Sequence, residues 1–369
     1  MNFSTFKLKP EIIRAIDQLG YEHATQIQEK AIPQMLTGST DIIGLAQTGT
    51  GKTAAFGLPM IQLIDFDSKR PQGLVLCPTR ELCLQITGDL KLFARHVPNA
   101  RIVAVYGGAD IRDQISLIVA YAVLDEADEM LNMGFQEDID DILERTPSGK
   151  RTWLFSATMP GAAAKIADSY MNHPVTITAG LPNKVAENIS HACYIVKEKD
   201  RYVALKRMID YIPDIFGLIF CRTRLETQTV AEKLMKDGYN AEPLHGDLSQ
   251  MQRNQVMKKF RDRTLQLLVA TDVAARGLDV DDITHVINYK LPDESERYTH
   301  RSGRTARAGK SGVSIVLVNT REVRRVKDLE SKSGIRFEVK QIPSGRAVCE
   351  KQLSAMMDWL ASTQVDNKE

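Results

Sequence analysis

The chain has 369 residues, 43% of them hydrophobic and 26% charged, with a formal net charge of +1. That length predicts two domains, or at most three, of ordinary globular composition. It excludes the bulk basic field that advertises nucleic acid, no apolar run is long enough to span a bilayer, and the N-terminus carries no signal-peptide pattern. The five cysteines (Cys77, Cys83, Cys193, Cys221 and Cys349) form no CxxC pair and read as structural thiols in a reducing cytoplasm. The seven histidines show no metal-ligand spacing.

Ile12, Ile13, Ile16 and Leu19 recur at helical spacing over residues 9–19, and Gly20 closes that helix. A second helix is predicted over 26–36, with Thr25 as its N-cap and Gly38 beyond its end. The apolar strand Ile42–Ala46 then runs into AQTGTGKT, Ala46–Thr53. This has the form of a phosphate-binding loop, with Ala46 in a first position that accepts Ala or Gly. Ala46, Thr48, Gly49, Thr50 and Gly51 supply the cradle, whose glycines let backbone N–H groups approach phosphate oxygens. Lys52 reaches the β- and γ-phosphates, and the Thr53 hydroxyl is placed to ligate Mg²⁺.

Leu74–Cys77 reads as a strand, and Pro78-Thr79-Arg80-Glu81-Leu82 opens a helix. Further on, Tyr121–Asp128 spells YAVLDEAD, a short buried strand tipped with carboxylates. Alone, an acidic run after an apolar one is most often a solvated loop. The phosphate loop changes that, because it needs a distal carboxylate on a neighbouring strand to hold the metal. Asp125 takes that role, partly through water, and Glu126 orients and deprotonates the attacking water. A helix near 136–145, a strand Thr152–Phe155 and Ser156-Ala157-Thr158 follow.

Gly, Pro and Asn gather at 180–183, placing a domain boundary near 180–189. A second series then restarts: strand Ala192–Val196, a helix near 200–211, strand Gly217–Cys221, a helix near 225–237, and strands Leu267–Ala270, Val286–Tyr289 and Ser314–Val318. The fold class predicted is α/β, two parallel sheets with helices on both faces. The domains are 1–182, 183–341 and a helical tail or start of an extension, 342–369. In the tail, Leu353, Met356, Met357, Trp359 and Leu360 make an amphipathic helix that packs on the second domain or serves a protein partner; packing is favoured.

Taken together, these motifs resemble the DEAD-box ATP-dependent RNA helicases of superfamily 2, bacterial-type, whose two domains are RecA-like. Gly20-Tyr21 … Thr25-Gln26-Ile27-Gln28 is similar to the Q motif, with Phe3 as its isolated upstream aromatic and Ala24 where the family has Pro. By this resemblance Gln28 reads the adenine edge, Phe3 stacks near the base, and Ala24 alters loop stiffness only. AQTGTGKT, PTREL, Gly107-Gly108, DEAD (Asp125–Asp128) and SAT (Ser156–Thr158) match the motifs of the first domain. Phe220–Thr223, His245-Gly246-Asp247 with Gln250–Arg253, Ala270-Thr271-Asp272 with Ala275–Asp279, and His300–Arg307 match those of the second, with Ala306 in place of the usual Gly.

The resemblance implies ATP and Mg²⁺ as cofactors and RNA as partner, held by its backbone without sequence reading. Pro78, Thr79, Arg80, Gly107, Gly108, Arg222, Thr223, Gly246, Arg253 and Thr271 are the implied RNA contacts. Gly277 and Asp279 lie toward the nucleotide, Asp279 as a ligand of the ribose hydroxyls. Asp128, Ser156, Thr158 and His300 couple hydrolysis to RNA. Arg304 and Arg307, three apart, put guanidinium charge on the transferring γ-phosphate. The implied location is cytoplasmic, with no membrane contact. The implied activity is RNA-stimulated ATP hydrolysis with local duplex separation; the rival is an ATP-gated RNA clamp or scaffold that does not unwind.

One interval departs from the family. Between Gly108 and Asp125 the family has a helix, a strand ending in Thr-Pro-Gly-Arg, and another helix, whereas here ADIRDQISLIVAYAVLDEAD has room for one crossover element. Three readings are open: residues missing with the numbering closed over them, an engineered deletion, or natural loss. The first is preferred, since losing a central strand exposes sheet edge and core. Residues 342–353 resemble the start of C-terminal extensions in cold-shock-type members.

Overall fold

The computed structural model describes residues 1–37, 40–47, 49–106, 119–179, 188–275, 280, 282–306 and 310–362. Contacts divide the chain into two compact units, with the main division at residue 183. In the first, α1 (Pro10–Gln18) and α2 (Gln26–Thr37) precede β1 (Ile42–Leu45) and α3 (Lys52–Leu63). Then come β2 (Gly73–Leu76), α4 (Arg80–Phe93), β3 (Tyr121–Asp125), α5 (Ala127–Asn132) and α6 (Gln136–Glu144). β4 (Arg151–Ser156), α7 (Gly161–Tyr170) and β5 (Val175–Thr178) complete it.

Its sheet is wholly parallel, in the order β2-β3-β4-β1-β5. Side chains alternate across the strands, so Val123, Trp153 and Phe155 meet the face covered by α1 to α4. Ala122, Leu124 and Leu154 meet the opposite face with Ala127, Met130, Ile139 and Ile166 of α5, α6 and α7. The two faces carry separate cores, as expected for a strand buried on both sides. β2 differs: all four of its residues are half-exposed, and β2 ends the sheet among the described residues. An exposed edge is what loss of a neighbouring strand produces. The interval 107–118, with Gly107 and Gly108, lies outside the described residues.

The second unit holds β6 (Ile189–Ile195), α8 (Arg201–Tyr211), β7 (Gly217–Cys221), α9 (Arg224–Lys236) and β8 (Ala241–Leu244). After these come α10 (Gln250–Arg261), β9 (Leu267–Thr271), α11 (Asp272–Ala275), β10 (His285–Asn288) and α12 (Ser295–Ser302). β11 (Gly312–Val318), α13 (Val323–Ser333), β12 (Glu338–Lys340) and α14 (Gly345–Ser362) end it. The sheet is again parallel, ordered β12-β6-β11-β10-β7-β9-β8. Pro243 fits β8 because β8 is an edge, where a missing N–H leaves no ladder bond unmade.

The tail corrects one expectation. α14 touches α8 through the Gln352 amide, which donates to the Asp210 carbonyl. None of its residues is buried, however, and Met357 is 69% exposed, so its apolar stripe is not packed on the second unit. Among the described residues no helix is long and apolar enough to cross a membrane.

Candidate functional site

The parallel sheet of the first unit aligns three motifs on its carboxyl edge. Leu45 pairs with Ser156, Asp125 pairs with Phe155, and the Ala46 N–H donates to the Ser156 carbonyl at 3.0 Å. The loop after β1 turns through Gly49 at φ +78° and Gly51 at φ +84°, values that L side chains rarely adopt. A Cβ on Gly51 would also lie 2.4 Å from Gln28 Nε2. The Thr50 hydroxyl closes the turn by donating to the Gln47 carbonyl at 2.7 Å. Lys52 begins α3, only 7% exposed, and its ammonium donates to the Ala46 carbonyl at 3.0 Å. Thr53 stands half-buried in the same turn. Thr48 lies outside the described residues.

Asp125 ends β3 with 3% exposure and accepts the Glu126 N–H at 3.0 Å. Burial pushes its carboxyl up to about 6, while the Lys52 charge pulls the other way. Glu126 sits at φ 52°, ψ 48°, the left-handed region, which costs a non-glycine residue roughly 1 kcal/mol. Strain of this kind collects at functional positions. Two residues on, Asp128 is 1% exposed. One of its oxygens accepts the Thr158 N–H at 3.0 Å and hydroxyl at 2.8 Å, while its own N–H donates to Ser156 Oγ at 3.3 Å. The DEAD and SAT segments are thus joined by three hydrogen bonds. Among the described residues no three His, Cys, Asp or Glu side chains converge as a metal cage. One carboxylate and one hydroxyl suit Mg²⁺, which keeps waters and takes phosphate oxygens as its remaining ligands.

The Q-motif residues divide. Gln28 is buried, its Oε1 accepting the Thr25 N–H at 2.9 Å and its Nε2 donating to the Gly51 carbonyl at 3.0 Å, which ties it to the phosphate loop. Phe3, expected to stack near the base, is 2% exposed and packs edge-on to Phe6 at 5.9 Å. Tyr21, quoted in the motif but given no task, is 42% exposed and lies 6.2 Å from Phe3 and 6.3 Å from Phe93. Ala24 does more than change stiffness: its N–H donates to the Met1 carbonyl at 2.8 Å, a bond proline lacks.

Toward the implied RNA side of this unit, Pro78 is buried and Thr79 caps α4 by accepting the Leu82 N–H at 3.2 Å. The Arg80 guanidinium lies over the Tyr106 ring, 4.1 Å from its centroid. In the second unit the implied contacts gather at adjacent strand ends. Cys221 of β7 pairs with Thr271 of β9, and Leu244 of β8 pairs with Ala270. Thr223 therefore follows β7, capping α9 through Glu226 N–H at 3.1 Å, and Gly246 follows β8. Thr271 is buried and accepts the Ala274 N–H at 3.4 Å. Arg253 stands half-exposed on α10. Arg222 is already paired with Asp293 at 2.6 Å.

His300 lies in the last turn of α12, and Arg304, 7% exposed, donates from Nε to the His300 carbonyl at 3.3 Å. Arg307, Gly277 and Asp279 fall outside the described residues. Ala306 adopts φ 59°, the left-handed region in which its usual glycine carries no penalty. Sequence reasoning missed Arg301. It is 3% exposed and grips Asp272 with two bonds of 2.5 and 2.7 Å, plus Asn288 Oδ1 at 2.9 Å. This bidentate pair fixes the start of α11 to α12, and so one motif to the next. Only a helix-face argument applied to every Arg in His300–Arg307 could have flagged it.

The sequence profile of the DEAD/DEAH box helicases matches residues 25–121 and 116–166, and that of the helicase conserved C-terminal domain matches 202–309. The first match comes in two pieces that meet at the shortened interval. The ATP-dependent RNA helicase CshA of Listeria monocytogenes is 42% identical over 371 residues, covering 93% of this chain and 71% of that one. CshA of Geobacillus kaustophilus is 40% identical, covering 93% and 79%. Among solved structures, S. cerevisiae Dbp5 bound to RNA and ADP BeF3 superposes with a TM-score of 0.84 at 25% identity, over 95% of this chain and 99% of that one. Mss116p bound to ssRNA and AMP-PNP gives 0.83 at 27%, over 96% and 81%.

Proposed function

This chain belongs to the DEAD-box ATP-dependent RNA helicases, and we propose a residue-by-residue account of how it binds ATP and RNA and couples hydrolysis to local duplex separation. The observation that carries the account is the shared carboxyl edge on which the phosphate loop, Asp125–Glu126 and the Asp128–Thr158 bonds sit side by side. Gly49, Thr50, Gly51 and Lys52 receive the phosphates, Gln28 and Tyr21 the adenine. Asp125, through water, and Thr53 would hold Mg²⁺, which would supply positive charge against the phosphates. Glu126 aligns a water in line with the γ-phosphorus and takes its proton as the new P–O bond forms and the bond to the β-phosphate oxygen breaks. Arg304 and Arg307 add positive charge to the transferring phosphoryl group, with Asp279 on the ribose.

Thr79, Arg80, Thr223, Gly246, Arg253 and Thr271 hold RNA phosphates and 2′-hydroxyls, which positions a strand without reading it. Movement of Asp128, with Thr158 and Ser156 bonded to it, carries the state of the γ-phosphate to that surface. A near-neutral chain agrees with a weak, ATP-gated grip. The half-exposed β2 edge and the missing Thr-Pro-Gly-Arg segment favour the second reading, an RNA clamp that hydrolyses ATP without unwinding. Parallel assays of RNA-stimulated ATP turnover and of release of a labelled strand from a short duplex decide between them. Turnover with strand release supports the helicase, turnover alone supports the clamp, and no RNA stimulation overturns both.

A further inference from the structure

We propose that Tyr106 is a positioning residue for RNA binding, its ring holding the Arg80 guanidinium ready for a phosphate. The inference rests on the RNA role given to Arg80 above. Arg80 is the first residue of α4, and its guanidinium carbon lies 4.1 Å from the centroid of the Tyr106 ring. At that distance the negative face of the ring attracts a cation. Among the described residues no carboxylate pairs with Arg80, and its Nε, shut off from water, has no hydrogen-bond partner. The residue as a whole is only half-buried. Arg222, an implied RNA contact of the second unit, makes the contrast. Asp293 at 2.6 Å and the Leu291 carbonyl at 3.4 Å already accept from its guanidinium.

The helix does not hold this cation by its own field. A positive charge on the first residue of a helix sits at the positive end of the helix dipole, which disfavours it and attracts a phosphate. The ring supplies the hold, and its segment is tied to α4. Cys83, three residues beyond Arg80 and so on the same helical face, donates its thiol hydrogen to the Val105 carbonyl at 3.5 Å. Val105 precedes Tyr106 in the chain, so this bond fixes the strand of backbone carrying the ring to the turn carrying the arginine. An arginine loose in solvent gives up rotamer freedom when it meets a phosphate. One already laid on a ring has given up much of that freedom before RNA arrives. A ring also leaves guanidinium N–H donors unengaged, whereas a carboxylate would occupy two of them.

The test is a mutant cycle on the whole chain, combining Arg80→Ala with Tyr106→Leu and, separately, with Tyr106→Phe. Leucine covers the guanidinium with apolar bulk but offers no π face; phenylalanine keeps the face and drops the hydroxyl. The readouts are binding of a labelled single-stranded RNA with a non-hydrolysable ATP analogue, and ATP turnover against RNA and against ATP. Tyr106→Leu should weaken RNA binding about three- to fivefold and raise the RNA needed for half-maximal turnover by the same factor. Turnover at saturating RNA and the KM for ATP should stay within about twofold of the parent, and Tyr106→Phe should bind RNA as the parent does. In the Arg80→Ala background Tyr106→Leu should add nothing. Unchanged RNA binding in Tyr106→Leu, an equal loss in Tyr106→Phe, or a further loss on top of Arg80→Ala overturns the positioning role. A raised KM for ATP in Tyr106→Leu overturns it too, since that marks damage beyond Arg80. Arg80→Ala alone separates the two readings. If it weakens RNA binding, a failure at Tyr106 leaves the RNA role of Arg80 standing; if it does not, both fall.

Discussion

Replacing Asp125 with Asn should make the nucleotide-free protein more stable while ending its activity. The carboxyl is raised from 3.8 to about 6 chiefly by burial, a shift of roughly 2 units, or about 3 kcal/mol. The sign follows from linkage. An acid whose folded value is raised adds stability below its unfolded value near 4, and that stability is lost as pH climbs through about 6. Asparagine keeps an oxygen for the Glu126 N–H bond at 3.0 Å but has no charge to bury. Lys52 loses its counter-charge in the exchange, which trims the expected gain to about 2 kcal/mol, or roughly 4–8 °C in Tm for a unit of this size. Melting curves with a chelator present, at pH 8 and at pH 4.5, read the difference. The variant should melt higher at pH 8 and close to the parent at pH 4.5. A lower Tm at pH 8, or a gain that does not shrink in acid, refutes the burial argument.

Gly51→Ala must strain φ +84° and push Gln28 off the Gly51 carbonyl; the chain should lose about 1–2 kcal/mol, and fluorescent ATP titration should show little binding. Thr158→Ala removes the 2.8 Å bond to the buried Asp128 carboxylate. It should cost about 1–3 kcal/mol in denaturant unfolding and depress RNA-dependent work far more than RNA-free turnover. Ala306→Gly relieves a left-handed alanine and should stabilise the second unit by about 0.5–1 kcal/mol, read by urea denaturation.

Residues with one strong periodicity or one steric demand were legible before folding. The glycines at 49 and 51, the apolar runs of β1, β3, β7 and β9, and the carboxylates after β3 all declare themselves in this way. Elements were missed where contrast is low. α7, with its run of Ala162, Ala163 and Ala164, buries small side chains that mark no stripe. α5 is six residues begun by an acidic left-handed cap. β8 contains Glu242 and Pro243, tolerable only because tertiary pairing makes it an edge. The site was read by motif position, which names Asp125, Thr158 and Phe3 but not their surroundings; only packing shows Phe6 and Tyr21 against the Phe3 ring. Arg301 was passed over for the matching reason, since its partners Asp272 and Asn288 are distant in the chain. The tail stripe was read correctly as apolar, yet periodicity carries no information about what covers it.

The central claim is that Glu126 activates the attacking water while the rest of the edge binds nucleotide. Glu126→Gln preserves shape and removes the base. With ATP present, filter binding of single-stranded RNA should match the parent or exceed it, while phosphate release falls to background. Phosphate release at the parental rate would contradict the account.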